Sequence, residues 1–475
     1  MRDGQDKVND KLGNGLKGRQ VTMISIGGVI GAGLFVGSSN AIAAAGPAVL
    51  VSYVIAAMIV VLVMQMLGEM ATARPDTGSF SSYADQAIGR WAGFSIGWLY
   101  WWFYVLVIAI EAIVAGNILG DWLGLPHWIT AFAITFVLIV CNSLSVGSFG
   151  TLEYWLSLFK VVSIVSFIVL GVLAIFDLVP GSSTHGIANL YANGGFAPNG
   201  NVAIVAALLT AMFSFQGSEV VTIAAAESKD PKANIKKAIR AVVWRLGLFY
   251  LGSMFVVVCL VPWNAPGLAQ GSYQAVLTAM NIPWAPAIMS IVVLVAVTSC
   301  LNSAIYTASR MAYSLAKRGD APRAVSRTTP KGVPLLAVAL TSLAALVALA
   351  ANYLLPKQVF QFLLATSGAL ALLMYLVIAV TQLYMRRKLV ALGKRLEVRM
   401  WLFPYLTVLT IAFILGVFAI MAAFPGQRAE LFSTLGLTAV LVGIGAYLQK
   451  SQPELSARRS AMAPLDEHAQ RRALA

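Results

Sequence analysis

Charge is scarce in this chain. Of its 475 residues only 11% are charged, and 59% are hydrophobic. A soluble domain carries about 25% charged and 45–50% apolar residues, so a water-exposed surface over the whole chain is excluded. Cysteine is rarer still. Cys141, Cys259 and Cys300 all fall in or at the ends of apolar runs and form no disulfide framework or metal-ligand spacing. The three histidines are scattered. No phosphate-binding GxxxxGK[ST] loop or nucleophile–base pair occurs in a fitting context, and "GGVIGAG" follows no soluble strand, so the sequence speaks against an enzyme.

Apolar runs are abundant. Many reach 20 residues, the length that crosses about 30 Å of hydrocarbon. The pattern predicts an all-α polytopic membrane protein with twelve spans: 21–40, 46–70, 94–119, 128–147, 153–176, 202–225, 242–262, 285–309, 334–353, 359–384, 401–423 and 430–449. Residues 1–20 are polar and basic and precede a full-length apolar run, which is not the pattern of a cleaved signal peptide. Loops between spans do not exceed 25 residues, and 451–475 reads as a short charged tail.

The net charge of +14 does not indicate a nucleic-acid partner. With the N-terminus in the cytoplasm, 29 of the 33 Lys and Arg residues fall on the inner side and two, Lys357 and Arg428, on the outer. That asymmetry predicts both termini inside the cell, and the basic loops suit anionic membrane lipid.

Two runs are interrupted at their middles. Span 1 contains "GGVIGAGLFVG" (27–37), with five glycines; span 6 contains "MFSFQGSEVV", with Gly217 beside Ser218 and Glu219. Loose backbone at that depth is tolerated where it lines protein or a water-filled cavity. Breaks five spans apart are the pattern of an inverted-repeat transporter, with repeats at 21–176 and 202–384 and spans 11 and 12 (401–449) added. The alternative is close helix packing, since Gly27–Gly31 and Gly33–Gly37 have small-xxx-small spacing.

Ionisable residues inside a membrane are functional candidates. Lys160 lies in apolar surroundings in span 5, where a charged ammonium is costly to keep, and is a candidate proton carrier or a fixed charge paired with Glu111 or Glu219. Glu219 can carry a proton, orient the span 6 break, bind an amine, or pair with backbone or Arg245. Glu111, late in span 3, is a coupling candidate or a packed carboxyl. Glu69 reads as interfacial. The cluster "WLYWWFYVL" (98–106) reads as an aromatic belt or a cation cage. Phe213 and Phe215 flank the second break, where one of them covers the site. The basic loop 309–334 reads as a cytoplasmic amphipathic segment set by topology.

"GGVIGAGLFVGSS", "AGPAVLVSY", "GEMATARPDTGSFSSYADQAIGRWAGF", "FSFQGSEVVTIAAAESKDP" and "SCLNSAIYTASRMAYSLAKRGDAP" resemble the amino-acid transporters of the amino acid–polyamine–organocation superfamily. "GRWAGFSIGWLYWWFYVLVIAIEA" and "NSAIYTASRM" are most similar to bacterial 4-aminobutyrate (GABA) permeases. The resemblance covers roughly 15–450 and implies a five-plus-five, LeuT-like inverted repeat with helices 1 and 6 broken. It also implies proton-coupled uptake across the bacterial inner membrane by alternating access.

On that resemblance the backbone N–H groups of Gly31, Ala32 and Gly33, flanked by Ile30 and Leu34, hold the substrate carboxylate. The carbonyls of Phe213, Ser214 and Phe215, beside Gly217, receive the ammonium. Lys160 matches a lysine on span 5 that in related members occupies the place of a sodium ion, and Glu219 matches an acidic residue after the break. Glu111 joins them in proton coupling. No cofactor or metal is implied beyond the proton itself. Gly27, Gly28 and Gly37 are left for close packing. A permease for another small amino acid (alanine, proline, aromatic or basic), an exchanger without net proton coupling, and a non-transporting sensor remain open. A channel needs a continuous polar stripe, which the spans do not show.

Overall fold

A computed structural model describes residues 18–27, 30–184, 186–228, 230–354, 356–393 and 396–460. Gly28, most of the N-terminal segment and the tail beyond Ser460 lie outside them. Every described regular element is helical. In chain order these are α1 (Gly18–Gly27), α2 (Ser38–Ala45), α3 (Val49–Ala73), α4 (Ser79–Ala87), α5 (Arg90–Leu123), α6 (His127–Leu144), α7 (Val146–Ile175), α8 (Asn201–Phe215) and α9 (Val220–Ala226). They continue with α10 (Pro231–Arg245), α11 (Ser253–Leu260), α12 (Ser272–Ala279), α13 (Ala285–Lys317), α14 (Leu335–Leu354), α15 (Pro356–Ala391), α16 (Tyr405–Ala423), α17 (Arg428–Ser451) and α18 (Pro453–Ser460).

Among the described residues, eleven helical runs are long and apolar enough to cross a membrane, against the twelve expected. The difference lies at the start of the chain. The ten residues of α1 are too few to count, and Gly33–Ala73 forms one continuous run. That run holds the second half of predicted span 1, a tight turn at Gly46 and all of α3.

Burial sorts the helices into inner and outer sets. The apolar window of α5 is 83% buried and that of α8–α9 is 78% buried, whereas that of α17 is 17% buried. An inner helix has no lipid face, so its sequence is apolar or functional all round. The outer helices α6, α7, α16 and α17 leave large apolar side chains such as Phe136, Trp155 and Tyr447 exposed, as lipid contact demands. α5 is the central post. It starts after Gly89 and stops at Gly124, whose φ of +64 provides the left-handed C-terminal cap and whose N–H bonds to Gly120 O.

The two ends of α5 meet different surroundings. At its Arg90 end, Arg90 pairs with Asp320 at 3.0 Å, and Arg459 of α18 binds both Asp320 and Asp85 at 2.6 Å. At its other end a vestibule of about 590 Å³ opens between Asn117, His127, Gln270, Gln274, Met289 and Tyr353. The predicted end of span 8 at 309 falls short, because α13 continues to Lys317 with Arg310 inside the bundle. There Arg310 pairs with Glu227 at 3.3 Å and lies 4.1 Å from the Tyr306 ring centre.

Candidate functional site

The first break is gripped from both sides by opposite charges. α1 ends at Gly27, Ile30 and Gly31 are non-helical, and a short π-helical stretch begins at Gly33. The Lys160 ammonium, fully buried on α7, donates to Ile30 O at 3.1 Å. The Glu111 carboxylate on α5 accepts from Ala32 N through both oxygens, at 3.1 and 3.0 Å. This is the charge order that interrupted helices favour: a cation at the carbonyl end of one half, an anion at the N–H end of the next.

The packing here is tight. A Cβ on Gly31 would run into a Glu111 carboxylate oxygen and would approach Cys300 Cβ and Sγ to 2.8 Å. Gly37 is less confined, its nearest neighbour being Thr210 Cγ2 at 3.3 Å.

The second break lies between Phe215 and Val220. Gln216 is extended, and Gly217 has φ +101, a conformation that side-chain-bearing residues rarely adopt. Glu219 organises it. Its carboxylate accepts from Tyr100 OH at 3.0 Å, Tyr104 OH at 3.3 Å, Gln216 Nε2 at 3.2 Å and Gly217 N at 3.1 Å. Four groups able to donate thus converge on one carboxyl group. Arg245 does not meet Glu219; its Nη2 donates to Ser218 Oγ at 2.5 Å.

The two breaks touch. Ser214 Oγ donates to Gly33 O at 2.7 Å. Between them lies a cavity of about 20 Å³ that Gly33, Tyr104, Glu111, Phe213, Ser214 and Gly217 help to line. That is room for one water. Phe213 faces this cavity, whereas Phe215 is held between the rings of Tyr53 (5.6 Å) and Tyr250 (4.6 Å). Phe35, whose ring centre lies 4.9 Å from that of Tyr273, lines the vestibule.

A sequence profile of the family described as amino acid permease matches residues 20–451. The chain belongs to the amino acid permease family.

The permease is 56% identical over 453 residues to a protein of Pseudomonas aeruginosa named as a probable GABA permease, with 95% of each chain covered. It is 55% identical to the gamma-aminobutyric acid permease of Escherichia coli K12, over 92% of this chain and 94% of that one. It is 49% identical to the namesake of Bacillus subtilis, over 90% and 91%. A crystal structure of an Eremococcus coleocola manganese transporter superposes with a TM-score of 0.57, covering 96% of this chain and 98% of that one; at 14% identity this is a likeness of fold. These relatives are transporters, not enzymes, and the fold is that of a multi-pass membrane protein.

In this permease Ile30 to Leu34, Phe213 to Gly217, Glu111, Lys160 and Glu219 come together around the two breaks. Three features escape sequence reasoning. Glu153, fully buried on α7, accepts from Ser157 Oγ at 3.1 Å, Ser299 Oγ at 2.5 Å and Asn302 Nδ2 at 3.3 Å. It lies seven residues before Lys160, two turns along the same helix face, and that spacing was the available signal. Tyr100 and Tyr104 leave the aromatic-belt reading, being one turn apart on α5 and aimed at Glu219. Glu69 does not snorkel to the surface. It is fully buried and accepts from Gln382 Nε2 (2.8 Å), Arg386 Nη1 (3.0 Å) and Met400 N (2.7 Å), because α15 supplies partners that let a carboxylate stay inside.

Proposed function

We propose that this permease imports 4-aminobutyrate into the bacterial cytoplasm with protons, by alternating access, with both termini in the cytoplasm. The reading rests on one observation above others. The Gly31–Gly33 break is held by a buried ammonium and a buried carboxylate, Lys160 on Ile30 O and Glu111 on Ala32 N. Helix-end backbone of this kind is a carboxylate site, since its N–H groups and dipole face an anion. The names of the relatives at 49–56% identity supply the substrate.

The substrate carboxylate lies on the N–H groups of Gly31, Ala32 and Gly33. The ammonium lies against the carbonyls of Phe213, Ser214 and Phe215, whose second lone pairs remain available, with Glu219 behind them. Both ends of a zwitterion are then met with few side-chain charges. Lys160 ties α7 to the first half of span 1, so its protonation biases how the two halves, 21–176 and 202–384, sit against each other. A proton shifts that balance only if one state binds it more tightly, and a lysine whose carbonyl partner moves supplies such a difference.

The test is uptake of radiolabelled 4-aminobutyrate into proteoliposomes, with and without an imposed proton gradient, competed by a panel of alanine, proline, aromatic and basic amino acids. Gradient-driven accumulation blocked first by 4-aminobutyrate supports the reading. Preferential competition by another amino acid overturns the substrate. Uptake that follows only the substrate gradient overturns the coupling.

A further inference from the structure

The backbone donor that the substrate carboxylate needs is already occupied. Ala32 N gives its hydrogen bond to Glu111, whose two oxygens lie 3.1 and 3.0 Å away. Glu111 is buried, lines the cavity between the breaks and packs against Cys300. We propose that the Glu111 carboxylate is an internal stand-in for the substrate carboxylate, and that substrate takes its seat only as Glu111 accepts a proton and withdraws from Ala32. The proposal rests on the substrate reading above and adds to it which group the substrate displaces.

Three observations carry it. The first is chemical identity: the occupant is a carboxylate at a helix-half N-terminus, the group that the substrate would bring. The second is space. A cavity of about 20 Å³ cannot admit an amino acid, so substrate enters only as groups lining it, Glu111 among them, move apart. The third is charge. Two carboxylates sharing one buried site cannot both stay ionised.

The groups facing Glu111 supply one positive charge against the two carboxylates, which eases that conflict without removing it. They are the Cys300 thiol from α13, the Lys160 ammonium from α7 and Tyr250 from the segment after α10. Lys160 is engaged with Ile30 O. α15 turns Tyr375 toward Glu219 and Arg245. α6 meets α5 through Thr130 and Ala131 at Gly116, and α14 through Thr341 at Trp101. α4 and α17 meet it near the Arg90 end, through Asp85 at Gly93 and Gly445 at Trp91.

The exchange balances simply. One proton from solution ends on a Glu111 oxygen. The Ala32 N–H bond to Glu111 breaks, and the same N–H bonds the substrate carboxylate. The zwitterion enters with its own protons unchanged. Binding therefore takes up one proton for each substrate.

Calorimetric titration of the full purified chain with 4-aminobutyrate, in buffers of different ionisation enthalpy, reads that proton directly. The wild type is expected to take up close to one proton. Its Kd then weakens by about tenfold for each pH unit over the range of full uptake. Glu111→Gln, which cannot take the proton, is expected to bind without uptake and with a Kd flat in pH. Glu111→Asp, drawn back from Ala32, keeps the uptake but shifts the pH at which affinity is half lost. Binding without uptake in the wild type overturns the proposal, as does uptake that persists in Glu111→Gln. If the Gln variant does not fold, an Asp variant with an unshifted midpoint overturns it equally. Failure of the wild type to bind 4-aminobutyrate or any of the competing amino acids overturns the substrate reading first.

Discussion

Replacing Gly33 by Ala probes the contact between the two breaks. A Cβ there would lie 2.8 Å from Ser214 Cα, 3.1 Å from Phe213 Cδ1 and 3.1 Å from Ser214 Oγ. Side-chain atoms can rotate away, but Ser214 Cα is backbone. Since ordinary contact begins at 3.4 Å, the chain at position 33 and α8 must part by several tenths of an ångström. Overpacking of this kind costs about 1–3 kcal/mol. Parting also strains the Ser214 Oγ bond to Gly33 O, a further net loss of about 1 kcal/mol. The opposing gain, alanine's better helix propensity, is about 1 kcal/mol and applies only where the backbone is helical. The steric loss therefore wins by about 1–3 kcal/mol, and each 1.4 kcal/mol is about tenfold in an equilibrium. Gly33→Ala should lower the initial rate of uptake by about fivefold to a hundredfold, with a monodisperse protein still recovered from the membrane. Gly37→Ala, next to the movable Thr210 methyl at 3.3 Å, should retain most of the rate. Wild-type uptake by Gly33→Ala would show that the two breaks do not need to touch.

Lys160→Ala removes the cap on Ile30 O and is expected to remove the pH dependence of the reorientation rate, read by counterflow exchange at several pH values; an unchanged pH dependence in this variant would exclude Lys160 from that step. Glu219→Gln turns one acceptor into a donor amid four donors, so transport and thermal stability should both fall; an unchanged Michaelis constant and pH profile would remove Glu219 from coupling and amine binding. Arg310→Met strands the Glu227 carboxylate inside the bundle, at a cost of about 3–5 kcal/mol, and Arg310→Met with Glu227→Gln should recover part of the lost melting temperature; equal melting of the single and double variants would refute the pairing. Lys236, with Lys232 beside it, holds the Glu397 carboxyl below its ordinary value. Its stabilisation is therefore full above the ordinary carboxylate range and is lost as pH falls through the lowered value. Being exposed and screened, it is worth under about 1 kcal/mol, so Glu397→Gln should lower the neutral plateau of a stability–pH curve by no more than that, with the difference from wild type vanishing in acid.

The legible parts of the molecule were those that lipid imposes. Apolar run length marks spans wherever the chain must cross hydrocarbon, and glycine marks mid-membrane backbone that leaves the helical ladder. Both breaks could therefore be located from residues 27–37 and 213–219 alone. The partners of the breaks were less legible, because hydrogen bonding across helices leaves no period in the sequence. Tyr100 and Tyr104 look like belt aromatics until Glu219 is found opposite them, and Glu69 looks interfacial until Gln382 and Arg386, more than 300 residues away, are seen to close on it. The span count differs for another reason: among the described residues Gly33–Ala73 is one helical run, in which the turn at Gly46 joins the second half of predicted span 1 to span 2.

One division of labour follows from the geometry of the breaks. A charge that stabilises an interrupted helix must match the exposed backbone: a cation where carbonyls end, an anion where N–H groups begin. At the first break Lys160 and Glu111 meet both requirements at once. The two groups differ in what can replace them. On the proposed reading the substrate ammonium goes to the carbonyls of residues 213–215 and not to the Ile30 carbonyl that Lys160 holds, whereas its carboxylate goes to the Ala32 N–H that Glu111 holds. On that reading substrate competes with Glu111 and leaves Lys160 in place, so a proton on Glu111 would be tied to occupancy of the site and a proton on Lys160 to the position of α7 relative to span 1. If both are used, Glu111→Gln should uncouple binding from protons without erasing the effect of pH on the rate of reorientation, and Lys160→Ala should do the reverse. Loss of both behaviours in either single variant would mean that the ammonium and the carboxylate act as one unit.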